Sequence, residues 1–107
     1  MALTGCKTSG DIRERQVRAQ STSAKSVDVI AGCIALNAAP ERGVEVSKAD
    51  IPNGVSIAQS VRVAGVKSVV AVWDIEDLGT SRRVTLYVVN KSNRATSSIE
   101  GPAANCL

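Results

Sequence analysis

The strongest constraint on this chain is a set of β-branched stretches that alternate with polar residues and are separated by turn signals. Val55, Ile57, Val61 and Val63 alternate with Ser56, Ser60 and Arg62, and residues 68–75 and 82–90 form two further such stretches. Period-two alternation reads as a strand with one buried face. Pro52-Asn53-Gly54 and Gly65 mark turns, and Asp77-Leu78-Gly79-Thr80 offers a four-residue hairpin loop between the last two strands. Val44-Glu45-Val46 is a candidate short strand that ends at Ser47–Asp50. Aromatic residues make up 2% of the 107, Trp73 and Tyr87, so any core must be aliphatic.

Ahead of the strands the periodicity changes. Val27, Ile30, Ala31, Ile34, Ala35 and Ala38 recur at three- and four-residue spacing, which predicts one amphipathic helix. Ser23 or Ser26 can cap its start, and Pro40 with Gly43 enforces its stop. Gly32 weakens the helix and could admit a close neighbour from the sheet or the tail. The expected fold is α+β: this helix on an antiparallel sheet of three or four strands, occupying residues 26–107. Residues 7–25 are polar and read as a tether with a reach of roughly 25 Å, or as a short helix over Asp11–Ala19. The tail from Lys91, rich in Ser, Asn and Ala, is loose unless something ties it down.

The loop at 77–80 implies a register. With Glu76 opposite Ser81, Asp74 faces Arg83 and Trp73 faces Val84. One sheet face then carries Val69, Ala71, Trp73 and Ile75 beside Val84, Leu86 and Val88. The other carries Val70, Val72 and Asp74 beside Arg83, Thr85 and Tyr87. If one helix covers only the first face, the residues Val70, Val72, Thr85, Tyr87 and Val89 form an exposed candidate binding face. The competing readings are that the tail folds over it, or that these residues merely suit a strand. An edge strand offers a second docking mode by strand addition.

Several function classes fall away on composition. The chain has no histidine, which removes the commonest general base and metal ligand. Thirteen basic against ten acidic side chains give a scattered +3, not a nucleic-acid footprint. No apolar run approaches the length that spans a bilayer. Asp74, Glu76 and Asp77 are the best acid–base candidates, yet beside Arg82 and Arg83 they read as solvated charges. No enzyme, metal or cofactor site is expected.

The three cysteines are Cys6, Cys33 and Cys106. Cys6 ends the tetrapeptide Leu3-Thr4-Gly5-Cys6 and is followed by a polar run, and here the chain resembles a small Gram-negative lipoprotein at its lipobox. The resemblance covers four residues and the tether behind them. It departs from a full precursor in that only Met1 and Ala2 stand before Leu3, where an apolar export segment is expected. It implies that Cys6 becomes the acylated N-terminus, carrying palmitate-like chains worth about 0.8 kcal/mol per buried methylene. Lys7 after that cysteine implies the periplasmic face of the outer membrane. An oxidising compartment in turn implies a Cys33–Cys106 disulfide, with free buried thiols as the alternative.

On this reading the chain is a non-enzymatic envelope lipoprotein that acts as a protein-binding or assembly module. It meets the membrane through its lipid, and self-association stays open. A periplasmic inhibitor or small-ligand-binding module is one alternative, and a cytosolic domain with a chance tetrapeptide is another.

Overall fold

The computed structural model describes residues 19–38, 43–88, 103 and 105–107. In chain order the elements are β1 (Ala19–Ser23), α1 (Val27–Asn37), β2 (Val44–Ile51), β3 (Gly54–Val63), β4 (Val66–Asp77) and β5 (Arg82–Val88). The strands form one antiparallel sheet in the order β1-β5-β4-β3-β2. Among the described residues the domain is therefore mostly sheet: five strands and one 11-residue helix, not the α+β arrangement of three or four strands expected from periodicity.

Two strands account for the difference. β2 runs on through Ser47–Asp50, which the composition marks as its end, and it pairs along its whole length with β3. β1, with the sequence AQSTS, lies in the polar stretch read as a tether and pairs with β5 from Ala19↔Leu86 to Ser23↔Arg82. Both are edge strands and, Ser23 apart, half or wholly exposed, so nothing demands an apolar alternation from them.

The helix follows its predicted stripe. Ile30, Ala31, Ile34 and Ala38 are buried, and Val27 and Ala35 pack against the same cluster. Ser26 is the N-cap, its Oγ accepting from the Val29 N–H at 3.3 Å. Ser23 instead belongs to β1, where its Oγ donates to the Leu107 carbonyl at 3.3 Å. Among the described residues, nothing comes within 4 Å of the Cβ side of Gly32, so the sheet does not approach there.

The stripe packs on the inner sheet face, where Ile57, Ala71, Trp73, Ile75, Val84, Leu86 and Val88 complete one aliphatic core around the single indole. The face assignment of β5 and most of β4 follows the alternation. The register does not follow the expected loop. Glu76 pairs with Arg83, Ile75 with Val84, Asp74 with Thr85 and Trp73 with Leu86, two residues away from the expected pairing. The loop is residues 78–81, closed by the Asp77↔Arg82 pair. Asp77 is kept out of the loop by its side chain: Oδ1 accepts from the Gly79 N–H at 3.0 Å and from Arg82 Nη1 at 3.2 Å. The Leu78 N–H donates to the Ser81 carbonyl at 2.9 Å across the loop.

A second departure lies in β4. Gln59 pairs with Ala71 but Ser60 pairs with Val69, so Val70 is the extra residue of a β-bulge. The bulge exchanges the faces of two neighbours. Val70 packs against the helix-side core, and Val69 joins Ala58, Val72 and Tyr87 on the other side.

The hairpin between β3 and β4 turns through Ala64 and Gly65, both at positive φ (53° and 81°). A two-residue turn with both central residues left-handed favours Asn-Gly, and alanine there sits in a conformation that costs an L-residue about 1–2 kcal/mol. Ala64→Asn is expected to stabilise the domain by about 1 kcal/mol, raising the melting temperature by roughly 5 °C in a thermal melt. An unchanged or lowered Tm would contradict that account of the turn.

Candidate functional site

The candidate binding face lies opposite α1, and it is not an open apolar surface. Val72 is fully buried, and Ala58, Ser56, Ser60 and Thr85 are also closed to solvent. Tyr87 is half-buried against Val72. Val70 is absent from this face because of the bulge, and Val89 lies outside the described residues. The sheet is thus buried on both sides at its centre, with a large core under α1 and a small one around Val72. Sequence alternation marks which residues share a face but carries no information about what shields that face from water.

The register aligns a polar row across this face. Ser56 opposes Asp74, Asp74 opposes Thr85, and Thr85 opposes Gln20, whose Nε2 donates to Thr85 Oγ1 at 3.0 Å. Asp74 is only 7% exposed, so it is not a solvated charge, and it lies opposite Thr85 while Arg83 lies opposite Glu76. Ser56, Asp74 and Tyr87 are all engaged with partners.

Of the three carboxylates weighed for acid–base work, the fold leaves two on one sheet face and turns the third to the other. Glu76 shares the second face with Asp74 but is bound to Arg83, Oε1 to Nε at 3.1 Å. Asp77 falls on the helix side by alternation and is bound to Arg82 at 3.2 Å. Each of these two has its own guanidinium. Among the described residues no group of three or more His, Cys, Asp or Glu could hold a metal ion.

A surface ion-pair cluster lies at the β3–β4 hairpin. Glu45 accepts from Arg62 Nε at 2.9 Å and sits 3.3 Å from Lys67 Nζ. The hydrogen bond from Arg62, followed by that from Lys67, holds the Glu45 carboxyl below the usual carboxylate range. A depressed folded value stabilises the native state above the unfolded carboxylate range, and this contribution fades as pH falls through the folded value. The cluster is exposed, so the effect is small. Wild type is expected to melt above Glu45→Gln at neutral pH, with the two melting curves converging on acidification. A gap that widens toward acid pH would reverse the sign and reject the assignment.

At the other end of the chain, Cys33 and Cys106 form a disulfide spanning 73 residues of sequence. Cys106 is buried in the helix-side core, and Ala103 and Leu107 pack against that core. Asn37 Nδ2 donates to Cys106 Sγ at 3.5 Å. Beside this C-terminal segment lies a cavity of about 220 Å³, walled by Ala19, Gln20 and Ser21 of β1, by Trp73, Val84 and Leu86, and by Ala103 and Leu107. Sequence reading did not anticipate it, because it arises where the C-terminus meets β1, which was read as part of a tether. A second depression near Val27, Asn53 and Asp77 is wide and shallow. Cys6 lies outside the described residues.

Among the described residues, no helix is long and apolar enough to cross a membrane. No family model, no curated protein and no solved structure matches the chain.

Proposed function

We propose that this chain is a non-enzymatic, lipid-anchored envelope module, tethered through Cys6 to the periplasmic face of a Gram-negative outer membrane, that binds another envelope protein. The observation that carries the reading is the pairing of Cys33 with Cys106. It consumes two of the three cysteines and leaves Cys6, behind Leu3-Thr4-Gly5, as the one available for acylation. A bridge closing so long a loop also suits a chain that matures in an oxidising compartment.

The binding role rests on the resemblance to small envelope lipoproteins. With the second sheet face closed at its centre, a protein partner is expected at the rim. Exposed apolar groups at the hairpin ends include Val66 and Leu78.

Expressed from its own locus in a Gram-negative cell, the chain is expected to incorporate labelled palmitate and to fractionate with the outer membrane. Cys6→Ser should lose both while keeping the Cys33–Cys106 bridge. Unlabelled wild-type protein in the soluble fraction would defeat the anchor. Affinity capture from envelope extract should return one stoichiometric protein, and its absence would count against the binding role.

A further inference from the structure

β2 ends the sheet on the side away from β1, and among the described residues no strand pairs beyond it. Ser47, Lys48, Ala49 and Asp50 alternate between the two sheet faces, and all are exposed. The adjoining turn fixes which backbone groups this edge presents. The Asn53 carbonyl accepts from the Asp77 N–H at 2.7 Å, so hydrogen bonds flank the Gly54↔Glu76 pair rather than join it. Gly54 therefore turns its own N–H and carbonyl toward Ile51, its partner across the Pro52-Asn53 turn. By alternation Ile51, Ala49 and Ser47 bond to β3, while Lys48 and Asp50 aim their N–H and C=O groups away from the sheet. Such an edge is a template for a further strand.

The same alternation limits how a second copy of β2 can pair with it. Outward groups must meet outward groups, so the two-fold axis of an antiparallel pair falls on a single residue. An axis at Lys48 or at Asp50 sets like charges directly opposite, which is destabilising. An axis at Ser47 leaves Lys48 opposite Val46 and Asp50 opposite Val44. An axis at Ala49 sets each Lys48 opposite Asp50 of the second copy, twice over. Lys48 and Asp50 oppose Ile57 and Val55, so both lie on the α1 side of the sheet. Among the described residues neither has an ion-pair partner in its own chain. A lysine alone on an edge strand discourages pairing. With Asp50 two residues on, its charge instead selects one register.

We infer that β2 is a self-association edge, where two copies of the chain join antiparallel about Ala49 and continue the sheet from one to the other. Each Lys48–Asp50 pair exchanges two backbone hydrogen bonds and makes one ion pair. The next hydrogen-bonding position sets Val46 against Pro52, which has no N–H, so the ladder stops there. So short a contact gives a weak, reversible dimer. The inference uses neither the lipid anchor nor the envelope partner, and it stands if both fail.

The full-length Cys6→Ser chain, which leaves the Cys33–Cys106 bridge intact, is expected to show a reversible monomer–dimer equilibrium. Sedimentation equilibrium from about 10 µM to about 1 mM reads it. Lys48→Asp and Asp50→Lys should each weaken dimerisation about tenfold or more, because each sets like charges opposite twice. The doubly exchanged chain should dimerise like the parent, and an equimolar mixture of the two single variants should form mixed dimers. Far-ultraviolet circular dichroism checks that each variant is folded. Ala49→Cys should oxidise to a covalent dimer, since the two residues at the axis form a close, non-hydrogen-bonded pair. Ser47→Cys, displaced from the axis, should not. A parent that stays monomeric throughout, even one that captures a different protein along β2, would overturn the proposal. So would folded single variants that dimerise undiminished, a double exchange that fails to restore dimers, or cross-linking through position 47 in place of 49.

Discussion

Gly54→Ala is expected to destabilise the domain by about 3 kcal/mol or more, a drop on the order of 15 °C in melting temperature. Gly54 opens β3 directly after the Pro52-Asn53 turn and is paired with Ile51 on one side and Glu76 on the other. A Cβ at this position would land on the Ile75 carbonyl oxygen, 2.9 Å from the carbonyl carbon and 3.2 Å from the Glu76 Cα. The obstruction is backbone of the adjoining central strand, so no rotamer change relieves it. Either the β3–β4 pairing opens at its end or the turn moves, and the turn is itself fixed. Asn53 sits at φ 65° after a proline, and its carbonyl accepts from the Asp77 N–H at 2.7 Å. Opening that end would also disturb the Asp77–Arg82 closure of the next hairpin. Gly32→Ala is the internal control. It makes the same chemical change in a helix with open space around it, and should stabilise by up to about 1 kcal/mol. A Gly54→Ala melt within about 2 °C of wild type would mean that strand pairing is far softer here than the contact implies.

The parts of this fold that were legible in the sequence are those decided by burial. The α1 stripe and the inward set Ala71, Trp73, Ile75, Val84, Leu86 and Val88 had to be apolar at fixed spacing, and the core contains them. What burial leaves degenerate could not be read. A register shift of two residues keeps every side chain on its face, so the alternation in β4 and β5 fits both pairings equally. The choice fell to local chemistry: Asp77 bonding the Gly79 N–H, and Glu76 reaching Arg83. The Val70 bulge was equally hidden, because Val69 and Val70 are the same residue and exchanging their faces alters no pattern. β1 was missed because an edge strand of five mostly exposed polar residues has no hydrophobic signature, and its pairing energy lies in backbone bonds. The candidate binding face shows the same limit differently. Its members Val72, Thr85 and Tyr87 do share one side of the sheet, but alternation says nothing about the closure that buries Val72.

Removing the bridge with Cys33→Ser plus Cys106→Ser is expected to cost about 4 kcal/mol, on the order of 15–20 °C in melting temperature. The magnitude follows from the 73-residue separation, since a cross-link restricts the unfolded chain more as the loop it closes lengthens. Reduced wild type should match the double variant, because both lose the same constraint. If the stabilisation resides in the unfolded state, the double variant should also show a larger denaturant m-value, its denatured chain being less compact. The C-terminal segment provides a local readout. Without the bridge, the contacts that hold it among the described residues include the packing of Ala103, Leu107 and the side chain at position 106, the 3.3 Å hydrogen bond from Ser23 and the approach of Asn37 Nδ2 to position 106. Each such hydrogen bond is worth about 1 kcal/mol, whereas ordering each backbone residue costs about 1–2 kcal/mol. The entropy of the segment exceeds what these contacts return, so it should leave the core while the sheet stays folded. Trp73, under that end of the core, should then become more accessible to acrylamide quenching at temperatures where the far-ultraviolet signal of the sheet is unchanged. Equal melting temperatures with and without reductant would deny the bridge its role, and unchanged quenching would mean that side-chain packing alone holds the chain end in place.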